Sequence, residues 1–234
     1  MEKITTNVEK FYESINLIPD HRYKSWEHCY NFFKSIKSKE PSKTELDLAQ
    51  LHLGFYLASW GMYRGSSFIL QKDYTVFKDT IKEILSKEYL PLWDIEENLD
   101  KKEQLNSLFI DLYSKLEDKL KRIRDSVKSH PDLEGAEKRY LNKIEDVSPT
   151  LTTKILLGII GCIPAYDRFF IAGLETEKLQ KKFNPKKSFI QMIDFYTKNK
   201  EELDNLSAKF KGYPLMKILD MYFWVEGYKK LEKV

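Results

Sequence analysis

Asp167 is the side chain whose surroundings best suit chemistry. It is the one carboxylate between Leu151 and Ile171, and Ile163, Ala165, Tyr166, Phe169 and Phe170 around it are apolar or aromatic. A carboxylate held in an apolar, aromatic-lined cleft can activate water or steady a developing cation. Burial and the neighbouring cations Lys154 and Arg168 act on its charge in opposite directions, so spacing alone leaves its protonation open. Its competing role is structural, as a helix cap or an arginine's partner. Polar exceptions in the apolar stretch from Leu46 to Leu70 include His52, Tyr63 and Arg64, and Trp60 lies in the same stretch. With Tyr166 and Arg168 they form the candidate substrate contacts, although a histidine in such a setting is more often a hydrogen-bonded core residue. Lys178, Lys181, Lys182, Lys186 and Lys187 make the most basic stretch, interrupted by Phe183 and Pro185. Together with Lys154 they are the candidate contacts to nucleic-acid phosphates.

Several chemistries are excluded. There is no GxSxG elbow, no local Cys–His signature, and no P-loop or GxGxxG phosphate cradle. The four histidines show no metal-ligand spacing, and two cysteines are too few for a thiolate-held iron–sulfur cluster. No metal or other cofactor is implied. The pairs Glu96–Glu97 and Glu201–Glu202 lie on polar segments, where solvation explains them. A net charge of +3 is too small to identify a nucleic-acid binder by itself. Cys29 and Cys162 sit far apart in apolar surroundings and read as buried thiols of a reducing compartment. The first ten residues lack an apolar signal-peptide core, and no apolar run reaches the ~18 residues of a membrane span. A soluble, cytoplasmic protein is expected, away from membranes, with a monomer favoured.

The elements that must position these residues are helical. Period-2 alternation flanked by hairpin turns is missing, and apolar residues recur at helical spacing. Amphipathic helices are expected at Ile4–Leu17, Val76–Leu85, Phe189–Lys198, Glu201–Phe210 and Pro214–Leu231. Tyr23, Trp26, Tyr30 and Phe33 form one aromatic stripe, read as core. Leu46–Leu70 reads as one buried helix, capped by Thr44 with Asp47. The longest amphipathic helix starts near Glu97 and exposes Lys115, Lys119, Lys121, Arg122, Arg124 and Lys128, a solvated face or a contact to phosphates. Thr150–Gly173, reading TLTTKILLGIIGCIPAYDRFFIAG, holds a second buried helix followed by a break at Pro164. The expected fold is all-α: a compact bundle of roughly 9–11 helices around two buried apolar helices. The chain reads as one domain over residues 1–234, with a candidate lobe boundary near 130–135 and a short helix at Ala136–Ile144.

Thr150–Phe170 resembles the core of helix–hairpin–helix DNA glycosylases. In that family an apolar helix runs to a glycine and a proline–alanine step, and an aspartate follows within a few residues and opens the next helix. The matching positions are Leu151–Ile160, Gly161 with Pro164–Ala165, and Asp167. The resemblance implies that Asp167 is the catalytic carboxylate, assisting cleavage of a sugar–base bond through an oxocarbenium-like state in double-stranded DNA. It also implies a flipped base in an aromatic pocket, to which Trp60, Tyr63 and Tyr166 are assigned. The family's hairpin reads like Leu-Pro-Gly-Val-Gly, whereas Ile144–Ser148 reads IEDVS, without the glycines that bring backbone N–H groups to a phosphate. The lyase lysine of the family falls near Thr150, one turn before Lys154. The implied activity is therefore monofunctional: hydrolytic excision of a modified or damaged base.

Two other readings stay open on the residues themselves. One is a non-catalytic helical protein-interaction module. The other is a small-molecule-binding helical protein with a pocket around His52, Arg64 and Asp167. The arrangement of Asp167 separates the enzyme from the interaction module: a cleft edged by lysines favours the enzyme, and a carboxylate fully buried against an arginine removes its only candidate.

Overall fold

The computed structural model describes residues 2–65, 67–129, 146–210 and 212–232. The segment holding the expected lobe boundary near 130–135 and the short helix at Ala136–Ile144 lies outside the described residues. Within them there are ten α-helices joined by 3₁₀ turns, and no strand. The all-α expectation holds.

Three helices build the first half of the core. α1 (Glu2–Asn16) buries Ile4, Val8, Phe11 and Ile15, a stripe at helical spacing. After a 3₁₀ turn carrying Tyr23, α2 (Ser25–Ile36) buries Trp26, Cys29, Tyr30, Phe33 and Ile36. α3 (Lys43–Ser59) opens on a capping box: Ser42 accepts from the Glu45 backbone N–H, and the Glu45 carboxylate accepts from that of Ser42. The box therefore sits two residues before the expected Thr44–Asp47 pair, with glutamate at its usual place.

α3 is shorter than the sequence suggests. It stops at Ser59, where the Trp60 N–H returns to Tyr56, that of Gly61 to Ala58 and that of Met62 to Leu57. Gly61 holds φ = +73°, the left-handed conformation that ends a helix and favours glycine. Phe68–Gln71 is a separate 3₁₀ turn. Nor is α3 buried all round, because Leu48, Leu51 and Phe55 face outward.

Beyond a 3₁₀ turn at Tyr74–Phe77 comes α4 (Lys78–Ile84), and α5 (Lys102–Lys128) is the long amphipathic helix. α5 buries Leu105, Phe109, Leu112, Leu116, Leu120 and Val127. On its outer face Lys115, Lys119, Lys121 and Arg124 are each paired with carboxylates, so most of its positive charge is already balanced.

Two helices are enclosed. Every residue of α6 (Pro149–Ile159) from Leu151 onward is buried, and α10 (Leu215–Leu231) is buried from Leu215 through Phe223. α10 thus takes the second central place that the sequence assigned to Leu46–Leu70. α7 (Arg168–Leu174) lies against α10 with glycines at the crossing. A Cβ on Gly227 would come 1.7 Å from the Phe169 carbonyl oxygen, and one on Gly173 1.9 Å from that of Phe223. Only hydrogen fits at either position. α8 (Pro185–Lys198) and α9 (Lys200–Lys209) close the bundle, and the apolar core is continuous from Ile4 to Phe223.

Candidate functional site

The turn that presents Asp167 is held by side chains on both of the enclosed helices. α6 ends at Gly161, whose left-handed φ of +73° lets its N–H return to the Leu156 carbonyl. The chain then runs to Asp167 without helix, bending at Ile163 and closing a tight turn in which the Asp167 N–H donates to the Ala165 carbonyl at 2.8 Å. Thr150 donates its hydroxyl to the Tyr166 carbonyl at 2.7 Å, and Thr153 accepts from the Tyr166 N–H at 3.0 Å. Asp220 on α10 accepts from the Ala165 N–H at 3.0 Å. These bonds satisfy a buried segment that has no helical partners of its own.

Asp167 caps α7. One carboxylate oxygen accepts from the Phe169 and Phe170 N–H groups at 3.0 and 3.1 Å, and the other accepts from Lys154 Nζ at 3.1 Å. The Lys154 side chain is 3% exposed and that of Asp167 16%. A second pair lies deeper: Lys217 Nζ donates to Asp220 at 2.9 Å, with side chains 3% and 4% exposed. Trp60 joins the two pairs. The Lys154 ammonium is 4.8 Å from its ring centroid and the Lys217 ammonium 5.3 Å. Lys217 also lies 4.9 Å from the Trp26 ring, and Tyr23 stacks on Trp60 at 4.2 Å. The aromatic faces supply negative potential where water has been removed. The outcome is a charge-balanced cage of two ammonium groups, two carboxylates and their rings, in which the buried Trp60 indole N–H has no hydrogen-bond partner among the described residues.

This arrangement leaves Asp167 little to offer a substrate. Its charge is balanced by Lys154 and its oxygens are engaged by three donors, so a developing cation would gain less from it than from a free carboxylate. Lys154, read as a phosphate contact, points inward and is nearly inaccessible. Tyr166 is 1% exposed, its ring packed on Phe170 and Phe183, and is core rather than pocket wall. Arg168 is exposed and rests its guanidinium on the Phe169 ring, 4.4 Å from the centroid.

The other expected contacts do not converge on Asp167. His52 is half-buried and stacks on Phe32 at 4.4 Å; burial, then the nearby His28, lowers its pKa and keeps it neutral at pH 7. Tyr63 places its hydroxyl beside Gly54 of α3, and exposed Arg64 lays its guanidinium against Gly61. Neither bonds to Asp167. In the basic stretch Lys178 adopts φ = +56° to close the 3₁₀ turn at Glu175–Glu177, and Lys181 pairs with Glu175 at 3.1 Å. Lys182, Lys186 and Lys187 face solvent, while Phe183 between them anchors the loop against Tyr113 and Tyr166. No hydrogen bond or ion pair joins these lysines to Asp167. Among the described residues, no group of three or more His, Cys, Asp or Glu gathers that could hold a metal ion. No helix among them is long and apolar enough to cross a membrane.

Two features escaped the sequence reading. Lys217 and Asp220 are a charged i, i+3 pair inside the apolar run LMKILDMYF, and that interruption was their signal. The other is a cavity of about 1370 Å³ between the α2–α3 linker, the first turns of α3, and α4 with the turn after it. Lys37, Lys39, Lys43, Lys78, Lys82 and Lys87 line it, with Glu40 and Asp47 as its carboxylates. Lys37 pairs with Asp94 and Lys39 with Glu45, while Lys43, Lys78, Lys82 and Lys87 have no ion-pair partner among the described residues. Its signal was two short lysine clusters flanking α3, which lie about 40 residues apart and meet only on folding. Compared with family models, curated proteins and solved structures, the chain matches none of them.

Proposed function

We propose that this chain is a binding protein for a multiply charged anion, and that the ligand sits in the lysine-lined cavity at the head of α3. The observation that carries this reading is the set of unpaired lysines converging there, Lys43, Lys78, Lys82 and Lys87. Like charges gathered without partners repel one another and raise the local concentration of anions. Lys78 and Lys82 are one turn apart on α4, hence on one face. Lys43 is the first residue of α3, whose positive dipole end borders the same space. Ligand pockets commonly measure ~300–1,000 Å³, so this larger one suits a bulky, hydrated anion. Tripolyphosphate is the direct probe. Calorimetry should show saturable binding that weakens steeply with salt, and Lys43→Ala with Lys82→Ala should weaken it about tenfold or more, roughly the loss of two charge-assisted hydrogen bonds. Absence of binding at low salt would overturn the reading.

A second reading, hydrolytic base excision at Asp167, rests on one observation: Asp167 opens α7 directly after the Pro164–Ala165 step, as the resemblance requires. Its test is base release from a panel of modified duplex DNA, with wild type beside Asp167→Asn and alkaline treatment to reveal abasic sites. Release by wild type that is lost in the variant supports it. No release from any duplex sinks it.

A further inference from the structure

We infer that the outer face of α3 docks the chain on an anionic bilayer, whose headgroups supply the anion; the lysine half of this contact rests on the anion-binding reading above. Leu48, Leu51 and Phe55 are 40%, 48% and 59% exposed. Spaced i, i+3 and i+7, they share one side of α3. In a chain of which 32% is charged, residues 48–59 hold no Asp, Glu, Lys or Arg, so this is not an ordinary solvated helix face. Phe32, half-buried on α2, stacks on His52 and widens the apolar surface to one side. Apolar surface left open to water in this way marks a contact with a protein or a membrane.

The lysine-lined cavity opens beside the same face. Thr44 and Asp47, which line it, sit one turn before Leu48 and Leu51. Tyr74 donates its hydroxyl to Asp47 at 3.4 Å and ties α3 to the turn that leads into Lys78 and Lys82. An apolar stripe with unpaired lysines at its edge is complementary to a bilayer with anionic headgroups. The apolar side chains enter the boundary between headgroups and acyl chains, and the ammonium groups stay at phosphate level. Shape favours the bilayer over a partner helix. Such a helix lies in a groove, whereas Leu48, Leu51 and Phe55 stand on the outside of α3 and none of them lines the cavity. A second copy of the chain would add its own unpaired lysines to the same region, where like charges repel. The expectation of a protein away from membranes rested on the lack of a spanning segment and a leader, and a surface contact requires neither.

The test mixes the full chain with vesicles of phosphatidylcholine alone, or with about a third phosphatidylserine, at about 150 mM salt, and reads the bound share after flotation. Wild type should bind the mixed vesicles and leave those of phosphatidylcholine alone. Lys78→Ala with Lys82→Ala should weaken vesicle binding about 25-fold, at roughly fivefold per lysine. Leu51→Ser with Phe55→Ser, both at exposed positions, should weaken it about tenfold or more and leave the affinity for tripolyphosphate unchanged. Tripolyphosphate binding without vesicle binding would overturn the membrane assignment and leave the anion site standing. Vesicle binding that survives the two serine substitutions would overturn the role of the α3 face, and equal binding of both vesicle types would overturn that of the lysines. A dimer in light scattering that reverts to monomer in the serine variant would overturn the bilayer in favour of a second copy. Binding to neither vesicles nor tripolyphosphate would remove the anion site as well.

Discussion

Lys217 is enclosed between α10, α1, α2 and the Trp60 turn, where Asp220 pairs with it at 2.9 Å and the faces of Trp26, Trp60 and Phe11 surround it. Removing one member of a buried pair costs roughly 3–5 kcal/mol, because the other charge is left without compensation. Asp220→Ala should lose about that much in chemical denaturation, more than Lys217→Met, since it also orphans the Ala165 N–H. Equal losses would mean that Asp220 acts only through Lys217. Asp167 behaves differently. Asp167→Asn retains an oxygen for the cap of α7, whereas Asp167→Ala gives up the cap, worth about 0.5–2 kcal/mol, and also strands Lys154. The alanine variant should therefore be the less stable of the two. That Asp167 opens a helix was legible in its position after Pro164–Ala165. That Lys154 turns inward to meet it was not, because a lone lysine in an apolar helix ordinarily reaches for water.

At the scale of elements, α7 and α10 are in backbone contact, and that contact depends on two missing side chains. Gly227→Ala would drive a methyl group into the Phe169 carbonyl. Overpacking ordinarily costs ~1–3 kcal/mol, and here the obstacle is backbone that cannot rotate away. The variant should lie at or beyond the upper end, seen as a fall in melting temperature with loss of near-ultraviolet dichroism around Trp224. A second element-scale device is the start of α10. Pro214 there has no capping side chain, and Glu96 from a distant turn accepts the Leu215 N–H at 2.5 Å instead. Burial is the main cause that raises the Glu96 pKa above the usual carboxylate value, with Asp94 and Glu97 adding to it against its hydrogen bonds. A raised folded-state value means the native protein binds this proton more tightly than the unfolded chain. The contribution is therefore full below the ordinary carboxylate range and is lost as pH rises through the raised value. Glu96→Gln keeps an acceptor for Leu215 and removes the proton. Its stability should vary less with pH than that of wild type from the ordinary carboxylate range upward, as read from urea midpoints across that window. Parallel curves would refute a titrating role for Glu96.

The whole molecule is held by one apolar core that reaches from α1 to α10, and both thiols lie inside it. Cys29 and Cys162 are each 0% exposed, and burial pushes both thiols well above their ordinary pKa. A thiolate-selective reagent should label neither in the native protein and both in concentrated guanidinium. The labelling rate in water should follow global unfolding rather than local fraying. Fast modification of Cys162 alone would show that the turn before Asp167 opens independently of the core.

What the sequence determined alone was the local chemistry of each segment. Helical spacing of Ile4, Val8, Phe11 and Ile15, and of Leu105, Phe109, Leu112 and Leu116, marks those stretches as helices with one apolar face to bury. The apolar run of α6 can be satisfied only inside a core, and Asp167 after Pro164–Ala165 begins a helix. Tertiary structure decided where charge could survive burial and where it gathered unpaired. Lys154 and Lys217 go inside because Asp167, Asp220 and Trp60 arrive from other elements to meet them. Lys43 and Lys82 come to share one cavity because α3 and α4 pack side by side. Long-range electrostatics depends on distances that chain spacing does not contain, and only the packed fold supplies them.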